Sequence, residues 1–207
     1  MLRGVIILFV ILVALVRGGS LRNFASVELR WLPLVFGSFG LQLLIFTPFM
    51  DQPVIAFATA PLYLLSMGLL VVWVWLNRHL PGIALIGAGV LMNLAAIAAN
   101  GGYMPVDPEA AAYAGRLSGY SGEGALVDNN SLASAEHVQL WLLTDIFPVP
   151  AGIPFANVFS LGDILLTTGV GIFCYRTLRG QRAERAAQPA ADAGSIQDAE
   201  LELGGNP

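Results

Sequence analysis

Long uncharged runs alternate with short arginine-bearing turns over most of the chain. Val54–Leu76 runs 23 residues without a charge, and Trp31–Phe49 and Pro81–Ala99 run 19 each. A hydrocarbon core about 30 Å thick takes roughly 20 helical residues, so each run predicts a membrane-spanning helix. A fourth run, about Val158–Tyr175, carries Asp163 as its one charge. The first is shorter: Gly4–Val16 gives 13 residues between Arg3 and Arg17, or about 20 Å of helix. A signal peptide would need a small-x-small cleavage site next, and Arg17-Gly18-Gly19 stands there instead. Arginines at both ends can snorkel to the headgroups, so this run is expected to remain as a helix. The expected fold is all-α, a polytopic membrane helix bundle. Its five transmembrane helices lie over about 4–16, 31–49, 54–76, 81–99 and 158–175, joined by tight turns at Asp51–Pro53 and Asn77-Arg78-His79. Pro81 suits the first turn of its helix.

Residues 100–157 form one long segment outside the spans. Ala110–Asp128 is small and polar, with five glycines or serines in Gly115–Gly122, and is expected to be mobile. Ser131 can cap a helix running to about Thr144, with Val138, Trp141, Leu142 and Ile146 along one flank. That predicts an extracytoplasmic amphipathic helix lying on the membrane face. Pro148, Pro150 and Pro154 end it and enforce an extended connector over Phe147–Phe155. Residues 179–207 lack aromatics and any sustained apolar period, which predicts a disordered cytoplasmic tail.

Composition sharpens this picture. The chain is 56% hydrophobic and 12% charged, and all ten cationic residues are arginine. Eight of them (Arg17, Arg22, Arg30, Arg78, Arg176, Arg179, Arg182, Arg185) fall on one side of the five-helix topology, against Arg3 and Arg116 on the other. The positive-inside rule then puts the N-terminus outside and the C-terminus in the cytoplasm. A single cysteine, Cys174, excludes an intrachain disulfide and a cysteine-type zinc site, and two histidines leave few other soft ligands. No metal and no cofactor is expected. No glycine-rich loop follows a strand and no basic soluble domain is present, so neither nucleotide nor nucleic-acid binding is expected. The expected partners are the bilayer and other membrane proteins or a lipid-anchored peptide.

Asp163 is the foremost candidate for chemistry. A carboxylate at membrane depth costs a few kcal/mol, roughly, and normally faces the bundle or a water pocket. It shares a small and polar stripe with Thr167, Gly171 and Cys174, which is expected to pack inward. The plain alternative is a carboxylate bonded to a neighbouring helix for packing alone. Asp145 is the second acidic candidate, or else a solvated helix end. His137 lies eight residues before it, too far round a straight helix for direct contact. Asn93 and Asn100 share one face of their helix. Asn93 needs a partner, and Asp163 and Gln42 are the ones available. Asn100-Gly101-Gly102 reads as a helix C-terminus, because glycine tolerates the left-handed conformation. Gly82, Gly87 and Gly89 thin one face of that helix for close packing.

Several motifs together resemble a bacterial family of membrane proteins, domain of unknown function 5317. They are Arg17-Gly18-Gly19, Asn93, Asn100-Gly101-Gly102-Tyr103-Met104-Pro105-Val106, His137, Thr144-Asp145-Ile146-Phe147-Pro148 and Phe159-Ser160-Leu161-Gly162-Asp163. That resemblance implies a polytopic membrane protein and no particular activity. Locally, Leu142-Leu143-Thr144-Asp145 and Phe159-Ser160-Leu161-Gly162-Asp163 are similar to the last part of lipoprotein signal peptidase, in which two aspartates act as a pair. Ser160 stands where that family has asparagine, and its Gly-Asn-x-x-Asp-Arg stretch is absent. Two readings stay open. One is a membrane protein of uncharacterised function, a subunit or scaffold of a membrane complex. The other is an intramembrane aspartyl hydrolase in which Asp145 and Asp163 share a proton and activate water against a membrane-embedded or lipid-anchored peptide. A proton-coupled transporter is weaker, with one carboxylate inside a span.

Overall fold

The computed structural model describes residues 2–46, 48–49, 52–53, 58–117, 130–132 and 138–180, and these are mostly helical. The helices are α1 (Leu2–Val16), α2 (Leu32–Phe46), α3 (Thr59–Leu76), α4 (Ile83–Ala99), the short α5 (Pro108–Tyr113) and α6 over 161–180. A 3-10 turn, Leu21–Ser26, follows α1. The 18-residue α3 is long and apolar enough to cross a membrane; α1, α2 and α4 are apolar but shorter.

Local chemistry trims these helices relative to the apolar runs. Helix α2 stops at Phe46 rather than at 49, because Pro48 disfavours helical geometry in the residue before it. Pro48–Phe49 (β1) instead pairs antiparallel with Gln52–Pro53 (β2). Asp51 and the first residues of the expected third span, 54–57, lie outside the described residues. Pro81 is not in the first turn of α4: Gly82, at φ +78°, caps that helix in the left-handed region. Helix α6 begins at 161 because Val158–Phe159 (β6) is taken up in pairing with Phe147–Pro148 (β5). Nothing between Tyr175 and Gly180 breaks a helix, so α6 continues to 180. The rest of the expected tail, 181–207, lies outside the described residues.

Helices α2, α3 and α4 enclose the main core, built on Ile45, Tyr63, Met67, Val90 and Ile97, with Phe46 edge-on to Tyr63 at 4.9 Å between ring centroids. Their outer faces remain apolar; Phe36, Leu43 and Trp75, with Phe9 of α1, are each about two-thirds exposed. Polar caps tie the ends together. Asn77, fully buried at the end of α3, accepts from the Arg30 amide at 2.8 Å and donates to the carbonyls of Arg30 (3.0 Å) and Trp73 (2.9 Å). The Leu178 carbonyl near the end of α6 accepts from Ser20 N–H at 3.0 Å and Asn23 Nδ2 at 2.7 Å. The α1–α2 loop therefore meets the ends of α3 and α6 at one end of the bundle. Arg17, Arg22, Arg30, Arg78, Arg176 and Arg179 all belong to these segments.

The opposite end differs most from expectation. Among the described residues no helix runs from Ser131 to Thr144. Asn130–Leu132 (β4) pairs in parallel with Met104–Val106 (β3), and residues 133–137, with His137, lie outside the described residues. Leu140 sits at φ +52° and Trp141–Leu143 forms a single 3-10 turn. Tertiary partners compete away the helix ladder here. The Asn100 amide takes both backbone groups of Gln139, donating to its carbonyl and accepting from its N–H at 2.9 Å each. On the other edge of β3, Asp107 N–H donates to the Asp145 carbonyl and Asp145 N–H to that of Pro105, both at 3.0 Å. The first part of the expected mobile link is α5. Asp107 caps it by accepting from Ala110 N–H at 2.8 Å, with Pro108 and Glu109 in the first turn. Asp-Pro-Glu is a legible helix start that the small-residue composition obscured.

Candidate functional site

The site begins where α4 and α6 cross. Gly82, capping α4, and Gly89 within it face Gly169 and Gly162 on α6, each pair seven residues apart and the helices antiparallel. A Cβ at Gly89 would strike the Gly162 carbonyl, and one at Gly169 would lie 2.7 Å from Ile86 N. The backbones approach as closely as glycine allows, the interface expected where helices associate without bulky side chains between them. Gly87, the third glycine noted on α4, serves α3 instead, against Val74.

That approach brings Asn93, one turn beyond Gly89, onto the N-terminus of α6. Asn93 Nδ2 donates to Asp163 Oδ1 at 2.9 Å. Ser160 Oγ donates to Asn93 Oδ1 at 2.8 Å and accepts from Asp163 N–H at 3.0 Å. The three residues close a ring of hydrogen bonds through the Asp163 backbone N–H as well as its carboxylate, with Ser160 the N-cap of α6 and Asp163 its third residue. A carboxylate in the first turn also lies favourably on the helix dipole. A Cβ at Gly162 would meet the Asn93 amide, so that glycine makes room for the ring. The second carboxylate oxygen, Oδ2, pairs with Arg3 of α1 at 2.8 Å. Asp163 is 6% exposed against 42% for the arginine. The Arg3 guanidinium also lies 5.4 Å from the Phe159 ring centroid.

Asn93 thus takes Asp163, one of its two expected partners; Gln42 bonds to Ser66 instead. The stripe Asp163, Thr167, Gly171, Cys174 is buried along its length. Asp145 is also buried, held through its backbone at the edge of β3. The ion pair and hydrogen bonds of Asp163 go to Arg3, Asn93 and Ser160, and Asp145 is not among them. Asn100 with Gly101 and Gly102 lies apart from the ring, closing α4. Gly102 N–H donates to Ile97 O at 2.8 Å, with Gly101 at φ +74° in the left-handed position this cap requires. Sequence reasoning gave no role to one member of the ring and to its counter-ion. Arg3 read only as a headgroup anchor, and Ser160 only as part of a family motif and as a departure from signal peptidase. The pattern Ser-x-x-Asp ahead of an apolar run was the signal for Ser160. Among the described residues no three His, Cys, Asp or Glu side chains gather as a metal site.

Beside the ring opens a groove of about 690 Å³ between α1 and α6. Leu2, Ile6 and Val10 line one wall and Ile164, Thr168 and Ile172 the other; Arg3 and Asp163 close one end, Tyr175 and Arg176 the other.

Residues 26–175 match DUF5317, a family of unknown function. The chain belongs to that family. An uncharacterized protein of Thermotoga maritima is 32% identical over 158 residues, covering 75% of this chain and 80% of that one. No solved structure matches. The DUF5317 match takes in Asn93, Ser160 and Asp163 and leaves out α1 with Arg3, so the ring lies wholly within the family region and its counter-ion outside it.

Proposed function

We propose that this DUF5317 chain is a five-span protein of the cytoplasmic membrane, N-terminus outside, acting without catalysis as a subunit or scaffold of a membrane complex. Its apolar outer faces support membrane burial, since a soluble monomer rarely exposes so large an apolar patch. The gathering of six described arginines at one end supports the orientation. Arg182 and Arg185 lie outside the described residues.

The observation that carries the non-catalytic reading is the occupancy of Asp163. One oxygen accepts from Asn93 and the other is neutralised by Arg3. A hydrolytic pair needs a second carboxylate on the first, with a water between or beside them. A carboxylate held in a closed ring and paired to arginine instead pins α1, α4 and α6 to one another.

Two experiments test this. Reporter fusions within 17–30 and within 115–122 should report opposite sides of the membrane; the same side for both refutes the topology. In complementation of a deletion strain, Asp163→Asn and Asp145→Asn should each restore function: at 163 the amide keeps the shape and one oxygen to accept from Asn93, and the pair it gives up, to the half-exposed Arg3, is screened by water. Loss of function by either variant, with normal amounts of folded protein in the membrane, would favour an aspartyl hydrolase acting on a membrane-embedded or lipid-anchored peptide.

A further inference from the structure

The two ends of the α1–α6 groove differ in charge. At the Asp163 end, Arg3 is already neutralised. At the other end Tyr175 gathers arginines. Arg17 Nη1 donates to its hydroxyl at 3.5 Å, the Arg179 guanidinium lies 5.8 Å from its ring centroid, and Arg176 lines the groove beside it. Neither Arg176 nor Arg179 forms an ion pair among the described residues. Between the ends the walls are apolar apart from Thr167 and Thr168, with Phe147 and Phe159 beside the Asp163 end. From Asp163 to Arg176 along α6 is about 20 Å. That exceeds one leaflet of hydrocarbon, about 15 Å, and falls short of the roughly 30 Å that a spanning helix would occupy.

We propose that this groove holds an acyl chain of an anionic phospholipid from the cytoplasmic leaflet, its phosphate among Arg176, Arg179 and Arg17. The inference rests on the five-span reading, which places that end at the cytoplasmic surface. Guanidinium groups match phosphate oxygens in geometry as well as charge. Basic pockets at helix ends on this side of a membrane are where anionic headgroups are retained. Residues 181–207 contain no apolar run that could fill the groove in the lipid's place.

The test is lipid retention by the purified full chain in detergent with equal phosphatidylglycerol and phosphatidylcholine, counted by native mass spectrometry. Phosphatidylglycerol should be retained preferentially. Arg176→Gln and Arg179→Gln should each lower that preference about five-fold, and Arg22→Gln, at the same end but off the groove, should leave it unchanged. Ile6→Trp and Ile164→Trp fill the groove from opposite walls at half-exposed positions, and each should cut retention without lowering the melting temperature in lipid-free detergent. Inorganic phosphate alone should give no thermal shift. Equal retention of both lipids, no loss with either tryptophan variant that folds, or a dimer that these variants dissociate would overturn the proposal. The last would assign the groove to a second copy of the chain. Failure to enter bilayer nanodiscs would sink the five-span reading as well, whereas insertion without a phosphatidylglycerol preference sinks this inference alone.

Discussion

Gly89→Leu should be the most damaging single substitution in the bundle, abolishing folded protein or lowering its stability by about 3 kcal/mol or more. The new side chain would have to enter space held by the Gly162 carbonyl and by Leu166 N, 2.8 Å from where its Cβ must sit. Backbone atoms cannot rotate away as a side-chain end can, so relief requires α4 and α6 to separate. Separation would also pull Asn93 off Asp163. The same change at Gly68, which has open space around its Cβ position in the middle of α3, should be tolerated. Thermal melts of both variants in one detergent are the measurement. Equal melting temperatures would mean that the α4–α6 approach does not hold the bundle together.

Asn93→Leu should be the second most damaging, at a cost of about 2–4 kcal/mol. Leucine is similar in size and branching to asparagine and has good helix propensity, so the loss comes chiefly from the groups left behind. Asp163 Oδ1 loses its donor and the Ser160 hydroxyl its acceptor, both in buried positions. An unmade hydrogen bond to a buried charge costs more than a typical made one contributes. Loss of Arg3 should be milder in water-exposed detergent, because a partly exposed guanidinium is screened and its pair contributes less. An unchanged or raised melting temperature for Asn93→Leu would show that the ring contributes nothing net to stability.

The helical class and the order of the long helices were legible because membrane-length apolar runs leave few alternatives. A backbone buried among apolar side chains must have its hydrogen bonds made, and a helix makes them within one segment. The Asn100-Gly101-Gly102 cap was legible for a similarly local reason. So was the need of Asn93 for a partner, since an amide on an apolar helix is costly alone. The outer segment was misread. Ser131 to Thr144 has a plausible cap and an apolar flank, yet β3 and the Asn100 amide take its backbone groups instead. Local propensity there was outweighed by partners some 25 to 40 residues away in the chain.

By itself the sequence determined what each segment is: which runs are helices, where glycine permits a left-handed turn, which ends carry the arginines. Those properties depend on side-chain polarity and backbone freedom within a few residues. Only the tertiary structure decided what each segment meets. The register that sets Gly89 against Gly162 closes the ring of Asn93, Ser160 and Asp163, and the placement of α1 along α6 gives Asp163 its arginine and leaves the groove. These pairings depend on the crossing of helices far apart in the chain, and glycine, asparagine and arginine each have many partners they could satisfy equally well.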